Sequence, residues 1–171
     1  MYRLCIFDLD GTLLNTVYAL TYVTNLTLDA FGLRHVTPEE TKRIVGNGYR
    51  MQMKRALMYS GDKELLHYEE ALSAYTRLFA EHCLYHVRPY EGIPELLEAL
   101  KAQGIRIAVL SNKPHARTVE NIEAVFGKDY FDIVAGQKDD VPKKPDPAGV
   151  NRILEQFECS PEECLYFGDT N

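Results

Sequence analysis

Two aspartates, Asp8 and Asp10, stand one residue apart where the apolar run of CIFDLDGTLLNT ends. Near the other end, CLYFGDTN repeats the arrangement, an apolar run closed by Gly168-Asp169. Between them lie VLSN, with Ser111 and Asn112, and KKPDP, with Lys143 and Lys144. Carboxylates, a hydroxyl and lysines together are what transfer of a phosphoryl group requires. A phosphate monoester is an anion, so a carboxylate can approach it only once charge is neutralised. A Mg²⁺ ion held by one or two carboxylates does that in an all-oxygen shell, and a lysine adds a second positive charge. An aspartate can then attack phosphorus to give an aspartyl-phosphate. A second carboxyl two residues along an extended chain returns to the same side at about 6.5 Å. There it can protonate the leaving oxygen and later activate water. Uncatalysed monoester hydrolysis is slow enough that enzymes accelerate it by up to roughly 10²¹-fold, which calls for a cluster, not one group.

Each residue alone has a plainer explanation. Asp-x-Asp-Gly-Thr is a frequent turn, Ser111 could cap a following helix, Lys144 could be a solvated loop lysine, and Asp169 a turn former. Their specificity lies in the order and in the elements that must carry them. Residues 2–8 mix β-branched and aromatic side chains before Asp-Gly, as a buried strand does. Strands are also expected at IRIAVLS, FDIVA and CLYF, with helices running to Gln103, over Pro114 to Phe126, and from near Pro147. Ser160 to Glu163 has the pattern of a capping-box turn. Alternating strands and helices predict βαβ units, an α/β doubly wound parallel sheet of Rossmann-like form. Ligands bind such sheets beyond the carboxyl ends of the strands, where all the residues named above fall.

Residues 17–86 show no convincing strand. Val17, Leu20, Val23, Leu26, Ala30 and Phe31 keep helical spacing up to Gly32. Thr37 to Glu40 form a capping box with Pro38 in the first turn. VGNG interrupts at Gly46 to Gly48, and YRMQMKRALMY resumes as a helix up to Ser60-Gly61-Asp62. A long helix is expected from about Lys63 to about His86, with Leu65, Leu66, Ala71, Leu72, Tyr75, Leu78, Phe79 and Cys83 inward. Two domains are therefore expected: a core of residues 1–16 and 87–171, and a helical cap of residues 17–86.

The 171 residues are 46% hydrophobic and 26% charged, ordinary for a globular protein. A net charge of −6 argues against a nucleic-acid partner bound by phosphate neutralisation. No run approaches the roughly 20 apolar residues of a membrane span, and Asp8 and Asp10 interrupt any secretory leader. Cys5, Cys83, Cys159 and Cys164 form no CxxC pair and are expected to be buried, reduced thiols in a cytoplasmic protein. Nothing in the sequence indicates an oligomeric state.

With these motifs in hand, the chain resembles the haloacid dehalogenase superfamily of phosphatases over its whole length. FDLDGT resembles the first motif, VLSN the second, KPDP the third and YFGDT the start of the fourth. The resemblance implies Asp8 as nucleophile, Asp10 as general acid/base, and Ser111 and Asn112 binding the transferred phosphoryl group. Lys144 would neutralise that group; Lys143 is the alternative, but the Lys-Pro-x-Pro spacing favours Lys144. Mg²⁺ would be held by Asp8, the main-chain carbonyl of Asp10, and Asp169. VGNGYRMQMKRAL with SNKP is most similar to the phosphoglycolate phosphatase group, implying a small phosphorylated metabolite as substrate. In that reading Gly46, Asn47, Gly48 and Arg50 line the leaving-group side, with Arg50 for a substrate carboxylate. Gly46-Asn47-Gly48 could equally be a break between helices and Arg50 a solvated residue, while Lys113 could face phosphate or solvent. Asn15 stands where many relatives have Asp. The fourth motif ordinarily continues to a second aspartate, which would fall at position 173, and the final helix and edge strands of the family are missing. The expectation is that 171 residues are part of a longer protein. Pyrophosphate, sugar phosphates, a mutase or a non-catalytic binding protein on the same fold are the alternatives. A dehalogenase would not need Asp10, and a receiver domain would not carry the helical insert.

Overall fold

The computed structural model describes residues 2–169. In chain order the elements are β1 (Leu4–Phe7), β2 (Leu14–Asn15), α1 (Val17–Asp29), α2 (Pro38–Ile44), α3 (Tyr49–Ser60) and α4 (Tyr68–His82). There follow β3 (Arg88–Pro89), α5 (Ile93–Ala102), β4 (Arg106–Pro114), α6 (His115–Phe126), β5 (Ile133–Gln137) and α7 (Ala148–Gln156). A 3₁₀ turn at Pro161–Glu163 then leads into β6 (Cys164–Phe167). The chain divides into two compact units, Met1–Asn15 with Arg88–Asn171, and Thr16–Val87.

The first unit is an α/β fold built on a parallel sheet of order β5-β4-β1-β6. All four residues of β1 are buried, as expected of a central strand covered on both faces. Leu4 and Ile6 pack with Ala108, Leu110, Ile153 and Leu154, so α7 covers one face. By strand alternation Cys5, Phe7, Ile107 and Val109 face the other way, and all are buried too. Phe7 stacks on Phe167 of the neighbouring strand, with centroids 4.7 Å apart. The register pairs Phe7 with both Val109 and Phe167, so β1 and β6 end level before Asp8 while β4 runs on to Pro114. The small antiparallel pair β2–β3, matching Asn15 to Arg88, was not legible in the sequence. Two-residue strands carry no period to detect.

The helical unit has its own core, in which Val23, Leu28, Ile44, Met53, Leu57 and Tyr75 are buried. A polar link crosses that core, where the Gln52 side chain donates to the Tyr75 hydroxyl at 3.1 Å and to Thr24 Oγ1 at 3.3 Å. The expected long helix from Lys63 is corrected. Asp62, itself buried, accepts the N–H groups of Leu66 and His67 at 2.9 and 3.0 Å, and Leu65 takes a φ of +58°. That local capture competes with helical bonding, so α4 starts only at Tyr68 and Leu66 is 77% exposed, not inward. The cysteine expectation is also corrected, since Cys5 and Cys83 are buried but Cys159 and Cys164 are only partly so. Among the described residues no helix is long and apolar enough to cross a membrane.

The Asp62 carboxyl is held below its ordinary value, first by the His67 N–H and then by Leu66 and the His67 ring, against the opposing effect of burial. A carboxyl depressed on folding stabilises above its unfolded value, and that stabilisation drains away as pH falls through the folded one. Asp62→Asn should therefore lower the melting temperature at pH 7, with the gap to wild type closing below about pH 4. Melting curves at stepped pH check this, and a gap independent of pH would contradict it.

Candidate active site

Asp8 is the first residue past β1, and its N–H donates to the Phe167 carbonyl at 2.8 Å, fixing it to the end of β6 as well. One carboxylate oxygen, Oδ1, accepts the Leu9 N–H at 2.6 Å and meets the Lys144 ammonium at 2.8 Å. The two side chains are 13% and 17% exposed, so the pair is largely dry yet reachable. Burial pushes the Asp8 carboxyl above its ordinary value, Lys144 and the Leu9 N–H pull it back, and neighbouring Asp10 pushes it up again.

Lys144 is positioned by more than this ion pair. Its ammonium donates to the Leu110 carbonyl at 2.9 Å and to the Tyr166 hydroxyl at 3.0 Å. Its main chain is bracketed by the Asn112 side chain, which accepts the Lys144 N–H at 2.9 Å and donates to the Lys144 carbonyl at 3.1 Å. Lys143 is exposed, so of the two lysines it is Lys144 that reaches Asp8. Asn112, expected among the phosphoryl ligands, spends both ends of its side-chain amide on the loop that carries Lys144.

The other expected residues gather at the same rim. Ser111 is buried, and its Oγ accepts the Lys113 N–H at 3.2 Å. It does not cap α6, which starts at His115 because β4 continues through Pro114. Pairing with β5 slips between Leu110 and Pro114, an irregularity of the kind that re-aims side chains beside functional sites. Asp10 sits in a tight turn in which the Leu13 and Leu14 N–H groups both donate to the Leu9 carbonyl. Its carboxylate meets Lys113 Nζ at 2.7 Å. Asp169 lies against Gly11, which holds a φ of +84° and whose missing Cβ would collide with the Asp169 carboxylate. A Cβ on Gly168 would come within 3.8 Å of that of Asp8. Burial raises the Tyr90 hydroxyl above its ordinary value, and the charges of Asp169 and Asp10 add to the effect. Thr170 of the fourth motif lies outside the described residues.

Among the described residues no three His, Cys, Asp or Glu side chains are grouped to hold a metal ion. The expected donor set does not need three, because it consists of two carboxylates, Asp8 and Asp169, with the main-chain carbonyl of Asp10. Gly11 gives Asp169 the room to lie against the main chain that bears that carbonyl. An all-oxygen set is what Mg²⁺ takes, so the residues present fit it.

The candidates in the helical unit do not form a comparable cluster. Gly46 and Gly48 take positive φ between α2 and α3, as a break between helices requires. The Asn47 side-chain Oδ1 accepts from Arg55 at 2.7 Å, and Arg55 also donates to the Ile44 main-chain carbonyl at 3.1 Å, so this loop is braced internally. Arg50 is exposed, with its guanidinium 5.4 Å from the Tyr49 ring centroid. Two site residues escaped the sequence analysis. Tyr166 looked like one more apolar residue of a strand, and the direction of Lys113 was left open.

A family model described as haloacid dehalogenase-like hydrolase matches residues 5–171. The chain belongs to the haloacid dehalogenase-like hydrolases. It is 34% identical over 168 residues to a phosphoglycolate phosphatase from Thiobacillus denitrificans, covering 96% of this chain and 74% of that protein. It is also 33% identical to an N-acetylmuramic acid 6-phosphate phosphatase from Pseudomonas aeruginosa, covering 96% of this chain and 72% of that one. A crystal structure described as a predicted phosphoglycolate phosphatase from Haemophilus somnus superposes with a TM-score of 0.90 at 27% identity, covering 98% of this chain and 77% of that one.

Gly11 offers a test of how this hydrolase packs Asp169. Gly11→Ala should lower unfolding free energy by about 1 kcal/mol from the positive φ alone, and further from the collision. In an Asp169→Ala background the collision is gone, so the same change should cost less. Denaturant titration of the four proteins measures this, and additive losses would show that the carboxylate is not where the contact places it.

Proposed function

We propose that the chain hydrolyses a small phosphomonoester through an aspartyl-phosphate on Asp8, with 2-phosphoglycolate the first candidate substrate. The observation that carries this reading is Asp8 at the end of β1, 2.8 Å from a Lys144 that is itself fixed by Asn112, Leu110 and Tyr166. A carboxylate nucleophile and a phosphoryl anion repel, and a rigid ammonium between strand ends lets them meet without reorganisation. Family membership and relatives that are phosphatases support the reaction class.

In the first half-reaction an Asp8 oxygen bonds to phosphorus, the bond to the leaving oxygen breaks, and the Asp10 carboxyl gives that oxygen a proton. In the second, water bonds to phosphorus, its proton passes to Asp10, and the bond to Asp8 breaks, releasing phosphate. Ser111 and Lys144 hold the phosphoryl oxygens meanwhile. Asp8, Asp169 and the Asp10 carbonyl would hold Mg²⁺, which supplies charge neutralisation and orientation of the phosphoryl group.

Phosphoglycolate is favoured because relatives of that name match almost the whole chain. A sugar phosphate is the second reading, favoured by the 33% identity to the N-acetylmuramic acid 6-phosphate phosphatase. The helical unit as a substrate-selecting insert, with Arg50 as ligand for a carboxylate, belongs to the same proposal.

Turnover of a panel containing 2-phosphoglycolate, N-acetylmuramic acid 6-phosphate, other sugar phosphates and pyrophosphate, with Mg²⁺, tests the assignment. Chelation should abolish activity, Mg²⁺ should restore it, and Asp8→Asn should lower kcat by roughly 10⁴-fold or more. Undiminished turnover in Asp8→Asn would remove the mechanism, and a sugar phosphate turned over faster than phosphoglycolate would remove the substrate. Arg50→Ala should raise KM for phosphoglycolate about tenfold while leaving p-nitrophenyl phosphate unaffected.

A further inference from the structure

Lys113, next to the last residue of β4, is buried at 4% side-chain exposure. A buried ammonium is costly unless paired, and this one meets Asp10 Oδ1 at 2.7 Å. The pair is asymmetric, since Asp10 keeps 28% exposure. The lysine end is buried, while the carboxylate end is partly exposed.

The main chain of Lys113 is pinned as firmly as its side chain. Its N–H donates to Ser111 Oγ at 3.2 Å, and its carbonyl accepts from Thr118 Oγ1 at 3.2 Å. A Cβ on Gly136 of β5 would come within 2.9 Å of that carbonyl and within 2.6 Å of His115 Cα, so no side chain fits between β5 and this turn. Thr118 is itself fully buried. Strand, helix and neighbouring strand thus lock the segment that aims Lys113 at Asp10.

We propose that Lys113 is the positioning residue for proton exchange at Asp10, holding one carboxyl oxygen so that Asp10 is presented to the leaving group and to the attacking water. It touches neither phosphorus nor substrate; its effect passes through Asp10. This inference rests on the reading of Asp10 as the general acid.

The test follows leaving-group chemistry. The ratio kcat/KM reports steps up to departure of the leaving group, and a good leaving group needs no proton. Aryl phosphates graded from p-nitrophenyl to phenyl phosphate, with 2-phosphoglycolate, are assayed on wild type, Lys113→Met, Lys113→Arg and Asp10→Asn, each checked by its melting curve. Lys113→Met should lose about tenfold more kcat/KM on phenyl phosphate than on p-nitrophenyl phosphate. Asp10→Asn should show the same steepening, more strongly, and Lys113→Arg should recover much of it. Equal losses on all substrates in Lys113→Met and Lys113→Arg would overturn the proposal and leave Lys113 a structural ion pair. A loss confined to KM for phosphoglycolate would overturn it in favour of a substrate contact. If Asp10→Asn itself shows no steepening, the acid assignment fails and the inference with it, whereas the Asp8→Asn result stands apart.

Discussion

Everything at the strand ends depends on neutralising carboxylates that stand too close together. Asp8, Asp10 and Asp169 gather at the strand ends, and the Asp10 charge raises the cost of charging Asp8. Two lysines answer that repulsion, Lys144 on Asp8 and Lys113 on Asp10. Neither could be supplied by the first strand itself. One comes from the end of β4 and the other from the loop after β5, so the charge balance exists only once the parallel sheet has assembled in register.

That requirement explains where the structure is rigid. Asn112 clamps the Lys144 loop to β4 by two hydrogen bonds between its side-chain amide and the Lys144 main chain. The slip in pairing between Leu110 and Pro114 lets neighbouring residues of one strand serve opposite purposes. Ser111 and Lys113 interact with each other, while Asn112 engages a different loop. Glycine at position 11 answers the same need from the other side, giving up a side chain so that the Asp169 carboxylate can lie against the main chain.

Much of this was legible in the sequence, for identifiable reasons. Runs such as LCIF and CLYF announce strands, and turn residues at their ends place Asp8 and Asp169 on one rim. The capping boxes at Thr37 and Ser160 formed as their side-chain chemistry dictates. What could not be read depends on direction or on local competition. No periodicity says that Lys113 turns to Asp10, that Asn112 turns to Lys144, or that Tyr166 lends its hydroxyl to the lysine. Lys63 to His67 has helical composition, but one buried carboxylate at Asp62 wins its backbone donors first.

The short pair β2–β3 has a consequence for how such a chain can change. Asn15 and Arg88 face each other directly, so the polypeptide leaves the sheet-bearing unit and re-enters it at adjacent points. The stretch between them is a closed detour with its own core. Each doubling of such a detour adds only about 0.6 kcal/mol of closure entropy. Size and sequence of the detour are thereby largely decoupled from the stability of the sheet. A lineage could exchange, lengthen or rebuild it without disturbing the lysine–aspartate contacts, and so acquire a new substrate while keeping the old chemistry.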